Sequence, residues 1–346
     1  MNDQEYLLIR AAFKQKIERT PVWVMRQAGR YLSEYRAVRE KAGNFLDLCQ
    51  NPELAAEVSI QPFELIGVDA VIMFSDILTP LMGMGMDLEF NPGPVFNNPI
   101  RTLSDINALT IVDPDEGTPY VGEILRILSS ELSGKAPIIG FAGAPFTLAS
   151  YLIEGQSSKL FSKTKALFWE NKDLARLLMD KLTQMTINYL NYQIENGAQM
   201  VQLFDTWAGI FSAEEYQEHI FPYIQEIFSS IHQAGKVPKV YYINGSHHLL
   251  DTIADCGADV ISLDWTNDIG EVKAKIGHKV ALQGNLDPNV LFCNLSIIKE
   301  KVVNILDKFG PDSGHIFNLG HGIDKNVDPD HLRFMVKTVK EQSKRS

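Results

Sequence analysis

Two arginines, Arg26 and Arg30, directly follow the apolar run VWVM, separated by Gln27 and the small residues Ala28 and Gly29. On a helix such a pair would be a solvated or salt-bridged i,i+4 couple. Gly29 weakens that reading, and the small spacers favour another: two guanidiniums brought close enough to capture carboxylates or phosphates in bidentate fashion. Asp76 follows a second apolar run, AVIMF. A carboxylate there either caps the next helix or accepts hydrogen bonds from ligand N–H groups while countering positive charge. His321 lies between Gly320 and Gly322. It is either a satisfied structural histidine or one whose small neighbours let a ligand approach the backbone.

Signatures of other chemistries are missing from the sequence. It contains no GxSxG, HExxH or GxxxxGK[ST], and GMGMDL lacks the third glycine of a dinucleotide loop. His247 and His248, with Asp251 nearby, do not read as a metal site, because adjacent side chains diverge on any regular element. The expectation is an enzyme that needs no nucleotide, flavin, metal or other cofactor.

The elements that must position these residues are eight short apolar runs: 22–25, 70–74, 137–141, 200–204, 239–243, 259–263, 279–283 and 315–319. Each is nearly continuous in apolar residues, as parallel strands covered on both faces are, and most are separated by helix-patterned stretches. The 174–197 segment shows that helical spacing, with Gly197 placed to end it. Eight alternations predict a (β/α)8 TIM barrel, in which the active site lies at the C-terminal ends of the strands. The residues just past the runs are strongly polar and glycine-rich: RQAGR, SD, AGAP, DTW, NG, DW, GNLD and GHG. The run at 22–25 is the weakest strand, and 83–100 reads as an irregular excursion. Without repeats, low-complexity blocks or linkers, residues 1–346 read as a single barrel domain whose C-terminal tail, KEQSKRS, frays.

The composition, 45% hydrophobic and 22% charged, is that of a folded chain, and no apolar run approaches the ~18 residues of a membrane span. The polar start, MNDQEYLLIRAAFKQK, does not read as a secretory signal, so a cytoplasmic location is expected. Cys49, Cys256 and Cys293 lie far apart and outside any metal-binding spacing, and are expected to be reduced and mostly buried. A net charge of −11 argues against nucleic-acid or anionic-membrane partners. An anionic ligand would need a local basic pocket.

PVWVMRQAGRYLSEYR and GFAGAPFTLASYLIEG resemble the two signatures of the uroporphyrinogen decarboxylase family, and FSDILTP, LFDTWAG, LDWT, LQGNLDP and NLGHGI continue the resemblance in order along nearly the whole chain. It implies a barrel, commonly a homodimer, that removes the acetate carboxyls of a tetrapyrrole without a cofactor. By motif it implies Arg26, Gln27, Ala28, Gly29, Arg30, Asp76, Tyr151, Phe204, Thr206 and His321 as substrate contacts, with Asp76, Arg26 and Arg30 in catalysis and Arg39 within reach of the same cleft. Departures are local: Ser33 where proline is frequent, Thr206 where serine occurs, and Gln156-Ser157 in a loop that is often glycine-rich. Two rival readings share the scaffold. A corrinoid-linked methyltransferase would need a His-x-Cys zinc pair where this chain has Tyr242 and Asn244. A non-catalytic tetrapyrrole-binding protein would keep the cleft and lose turnover.

Overall fold

The computed structural model describes residues 6–233 and 235–345. The first five residues of the polar start and the last residue of the tail lie outside the described residues. The described tail is tied down: Arg345 donates to the carbonyls of Glu18 and Asp312.

Seven of the eight apolar runs form strands. They are β1 (Val71–Ile72), β4 (Ile138–Gly143), β5 (Met200–Phe204), β6 (Lys239–Tyr242), β7 (Val260–Ser262), β8 (Ala281–Gln283) and β9 (His315–Ile316). All pair in parallel in the order β1-β4-β5-β6-β7-β8-β9, so successive runs lie side by side with helices between them. The run at 22–25 forms no strand. It makes one parallel bridge, Val22 to Phe317, because Pro21 has no N–H to donate and the chain leaves the extended region at Arg26, where φ is +63°. Pro21 and Trp23 exchange hydrogen bonds with Phe317, while Asp69 N–H reaches the Val22 carbonyl. The 22–25 segment thus contacts both the last strand and the approach to the first.

The 83–100 excursion is more regular than its composition suggests. It holds an antiparallel hairpin, β2 (Leu88–Phe90) with β3 (Pro94–Phe96), whose turn closes through Asn91 N–H to the Gly93 carbonyl. Val95 bridges to Gln156, and Phe96 N–H donates to the Gly155 carbonyl, fastening the hairpin to the loop beyond helix Pro145–Glu154. The long helix predicted at 174–197 is Lys172–Glu195, followed by Gly197 at φ +115°.

The sheet has two cores. Between sheet and helices lies the larger one. At the N-terminal end of the strands, Trp23, Ala70, Ile139, Met200, Val240 and Val260 close a smaller cluster against Leu8, Ile9 and Ala12 of helix Leu7–Ala12. Two residues further along the strands, on the same face, a polar layer replaces it. Trp23 Nε1 donates to Gln283, whose amide reaches Gln202 (3.1 Å) and Ser262 (2.9 Å). The sheet is thus sealed at one end, and its open space lies at the C-terminal ends of the strands. No helix of the described residues is long and apolar enough to cross a membrane.

Cys49 and Cys256 are buried and all three cysteines are free. Burial pushes the thiols of Cys49 and Cys256 up, so they stay protonated and unreactive.

His315 is fully enclosed, stacked on Phe309 at 4.5 Å and hydrogen-bonded to the Gly284 carbonyl (2.8 Å). Burial lowers its pKa to about 4, with the Gly284 bond opposing. The unfolded chain binds this proton first, so the group's effect on stability is nil above the ordinary histidine pKa and grows unfavourable as pH falls from 6.5 to about 4. His315→Gln keeps a donor for Gly284 without the titration. Relative to it, the native protein should lose on the order of 3 kcal/mol across that window in urea unfolding; parallel pH profiles would contradict this.

Candidate active site

A cavity of about 1100 Å³ opens at the C-terminal ends of the strands. The structure brings to it Arg26, Ala28, Gly29, Arg30, Arg39, Asp76, Tyr151, Phe204, Thr206 and His321. Gln27 is the correction among the predicted contacts. Its side chain is buried, accepting from Val24 N–H (3.0 Å) and donating to the Ala70 carbonyl (3.0 Å), and does not line the cavity. The left-handed backbone at Arg26 turns that side chain outward and sends Gln27 into the core. Gln27 therefore holds the arginine loop, helped by Tyr31 Oη donating to the Gln27 carbonyl (2.8 Å).

Arg26, Arg30 and Arg39 are the arginines whose side chains make neither a hydrogen bond nor an ion pair among the described residues, and all three line the cavity. The other arginines donate to carboxylates, to carbonyls or to a side-chain amide. Arg39 rests its guanidinium 6.0 Å from the Phe45 ring centre. With Lys325, four cations line the cavity against Asp76, Glu89 and Asp324, a local positive excess in a chain of net charge −11. The fold thus supplies the basic pocket that an anion would need. Gly322 explains how Arg26 gets there: a Cβ at Gly322 would lie 2.3 Å from Arg26 Cδ, so only glycine lets the side chain lie across this loop.

Asp76 faces these cations. Its Oδ1 accepts Leu78 N–H (2.9 Å), its carbonyl takes Thr79 Oγ1 (2.9 Å), and no second protein donor reaches the carboxylate among the described residues. One carboxylate oxygen fixes the turn and the other has no protein donor among the described residues; the helix that follows takes no side-chain cap from Asp76. Burial holds its pKa above the ordinary aspartate value, opposed by the Leu78 N–H and by Arg26. A carboxylate in that state gains from any further donor or cation.

His321 Nδ1 accepts the N–H of Gly322 (2.7 Å), which leaves the proton of the neutral ring on Nε2. Burial and then Arg26 lower its pKa to about 4, with Asp264 opposing. In the free site it is a neutral donor, not an imidazolium. Tyr242 packs against it edge-on at 6.3 Å and ties its loop by donating to the Gly320 carbonyl (3.0 Å). Phe141, Phe204 and Tyr242 form an aromatic floor with ring centres 5.9 and 6.0 Å apart. Sequence reasoning misses Phe141 and Tyr242, because both lie inside runs that are apolar on both faces and nothing in the composition marks them.

Asp264, one of the polar residues past the runs, serves the loops. Its two oxygens accept the N–H groups of Gly245 (2.8 Å), Ser246 (3.3 Å) and Thr266 (2.8 Å), the amide of Asn267 (3.0 Å), and the Thr266 hydroxyl. His248 is engaged with the Phe211 carbonyl (2.7 Å), and no cluster of three or more metal-ligating side chains occurs among the described residues.

The family model described as uroporphyrinogen decarboxylase matches residues 3–342. A uroporphyrinogen decarboxylase of Trichlorobacter lovleyi is 46% identical over 97% of this chain and 98% of its own length. Another, of Pseudomonas entomophila, is 48% identical over 97% and 96%. Among solved structures, a methyltransferase from Methanosarcina mazei superposes with a TM-score of 0.83 over 99% of both chains at 21% identity, a likeness of fold alone.

The two aspartates should differ in how much the fold depends on them. Asp264→Ala strands several buried N–H groups and should cost at least about 3 kcal/mol. Asp76→Asn keeps an acceptor for Leu78 and should stay within about 1 kcal/mol of the native protein. Urea unfolding compares them, and equal losses would contradict these assignments.

Proposed function

The chain belongs to the uroporphyrinogen decarboxylase family, and from that premise we propose how its cleft performs the reaction. It is a carboxy-lyase of tetrapyrrole biosynthesis that decarboxylates uroporphyrinogen. The acetate arms of uroporphyrinogen III become methyl groups, giving coproporphyrinogen III. One observation carries the assignment of roles: three arginines without partners among the described residues face the same cavity as the Asp76 carboxylate.

Loss of CO2 from an acetate arm needs an electron sink. Protonation of the pyrrole carbon beside that arm makes a conjugated iminium, which takes the electron pair of the breaking C–C bond; the resulting methylene carbon is then protonated to a methyl and the ring carbon gives up its added proton, restoring the pyrrole with a net uptake of one proton. Because the ring itself is the sink, the chemistry calls for no cofactor. Asp76 accepts pyrrole N–H groups and stabilises the developing cation, a preorganised electrostatic contribution. Its raised pKa supports this reading, since N–H donors and a nearby cation relieve the desolvated carboxylate. Arg26 and Arg30, with Arg39 at the rim, hold acetate and propionate carboxylates. Tyr151, Thr206 and neutral His321 donate further hydrogen bonds, Phe204 supports the macrocycle, and Ala28 and Gly29 leave room for its close approach.

The 21–24 segment is read as the eighth stave of a single-domain (β/α)8 barrel, supported by its hydrogen bonds to Phe317 on one side and Asp69 on the other. A homodimer in the cytoplasm is supported by the family alone.

The purified, metal-free protein given uroporphyrinogen III under anaerobic, reducing conditions should yield porphyrins carrying seven to four carboxyls after oxidation and chromatography. Asp76→Asn should lower kcat by at least ~100-fold, whereas Arg26→Ala or Arg30→Ala should raise KM about tenfold or more. Normal turnover by Asp76→Asn would remove it from the mechanism, and unchanged KM in both arginine variants would remove the clamp.

A further inference from the structure

Beside the cavity lies a buried polar chain that contributes no surface to it. Thr147, in helix Pro145–Glu154, donates its hydroxyl to Asp205 Oδ1 (2.8 Å) and accepts Trp207 N–H (3.3 Å). Asp205 Oδ2 accepts from Tyr241 Oη (2.8 Å), which shares a hydrogen bond with Tyr216 Oη (3.0 Å). Thr147, Asp205, Tyr216 and Tyr241 are each fully buried. Apolar side chains would fill such space without the cost of desolvating a carboxylate and three hydroxyls, so the network calls for a reason beyond packing.

Its place in the chain supplies that reason. Asp205 stands between Phe204 and Thr206, both of which line the cavity. Thr147 is one helical turn from Tyr151, on the same side of its helix. The Tyr151 ring packs edge-on against Trp207 with centres 6.5 Å apart, and Trp207 is the residue whose N–H the Thr147 hydroxyl holds. One hydroxyl therefore sets the loop after β5 against the helix that carries Tyr151. We propose that Thr147 and Asp205 are positioning residues that fix Tyr151 relative to Phe204 and Thr206, and so set the width of one side of the substrate site. The inference rests on the reading of Tyr151 as a substrate contact. Burial raises the pKa of Asp205 to about 6, opposed by its bonds to Thr147 and Tyr241, as expected of a carboxylate kept dry for geometry.

The consequence is specific, because misplacing a binding group by ~1 Å costs up to about 100-fold in rate. Thr147→Val preserves shape and removes the hydroxyl; Thr147→Ser keeps it. In steady-state decarboxylation of uroporphyrinogen III, Thr147→Val should lower kcat/KM by about 10- to 100-fold, while Thr147→Ser should stay within about threefold. A double-mutant cycle with Tyr151→Phe separates positioning from general damage: acting through the Tyr151 hydroxyl, Thr147→Val should cost at most about threefold once Tyr151→Phe is already present. Full additivity with Tyr151→Phe, native kcat/KM for Thr147→Val, or equal losses for Val and Ser would each overturn the proposal. Should Thr147→Val fail to fold by circular dichroism, Tyr241→Phe, which removes the other bond to Asp205, takes its place in the same cycle, judged by its loss of kcat/KM and its non-additivity with Tyr151→Phe. Absence of turnover in the native protein would instead overturn the functional reading, and this inference with it.

Discussion

Three guanidiniums held at one cavity with no hydrogen bond or ion pair among the described residues are the constraint around which the site is organised. Elsewhere among the described residues each arginine side chain has a hydrogen-bonding or ion-pair partner, whereas those of Arg26, Arg30 and Arg39 have none. Like charges gathered in this way repel, and each arginine–carboxylate contact at ~4 Å offsets that with about 4 kcal/mol at an effective dielectric near ~20. Such a cluster suits a polyanionic ligand. Asp76 is the complementary element: a lone carboxylate left short of donors, suited to the N–H face of the same ligand.

Holding that arrangement takes more buried polar structure than packing requires. Gln27 pins the arginine loop from beneath, Gly322 yields its space to the Arg26 side chain, and Tyr242 ties down the His321 loop. Asp264 gathers the N–H groups of two neighbouring loops, and Asp205 joins the loop after β5 to the helix bearing Tyr151. The sheet supports this by sealing its opposite end with apolar residues and helix Leu7–Ala12, which leaves the C-terminal ends of the strands free for irregular backbone.

Much of this was legible in the sequence. The seven strands follow from continuous apolar runs, and Arg26 and Arg30 announced themselves through the small residues between them. The unread parts share a physical reason: they depend on side-chain direction, which composition does not carry. Gln27 reads as a contact because it stands between residues that line the cavity, yet a left-handed residue before it turns its amide into the core. Phe141 and Tyr242 were hidden within runs that are apolar on both faces, so alternation gave no contrast. The run at 22–25 has strand composition but follows a proline and ends at the turn it must make, leaving one bridge. In 83–100 the turn residues were visible, but the hairpin they close depends on Gln156, which is distant in sequence.

The most direct test of the central claim is a crystal structure of the protein with coproporphyrinogen bound under reducing conditions. The account predicts the pyrrole N–H groups converging on the Asp76 carboxylate within hydrogen-bonding distance, and side-chain carboxylates paired with Arg26, Arg30 and Arg39. A macrocycle bound with its nitrogens turned away from Asp76, or with its carboxylates in solvent and the arginines still unpaired, would contradict it.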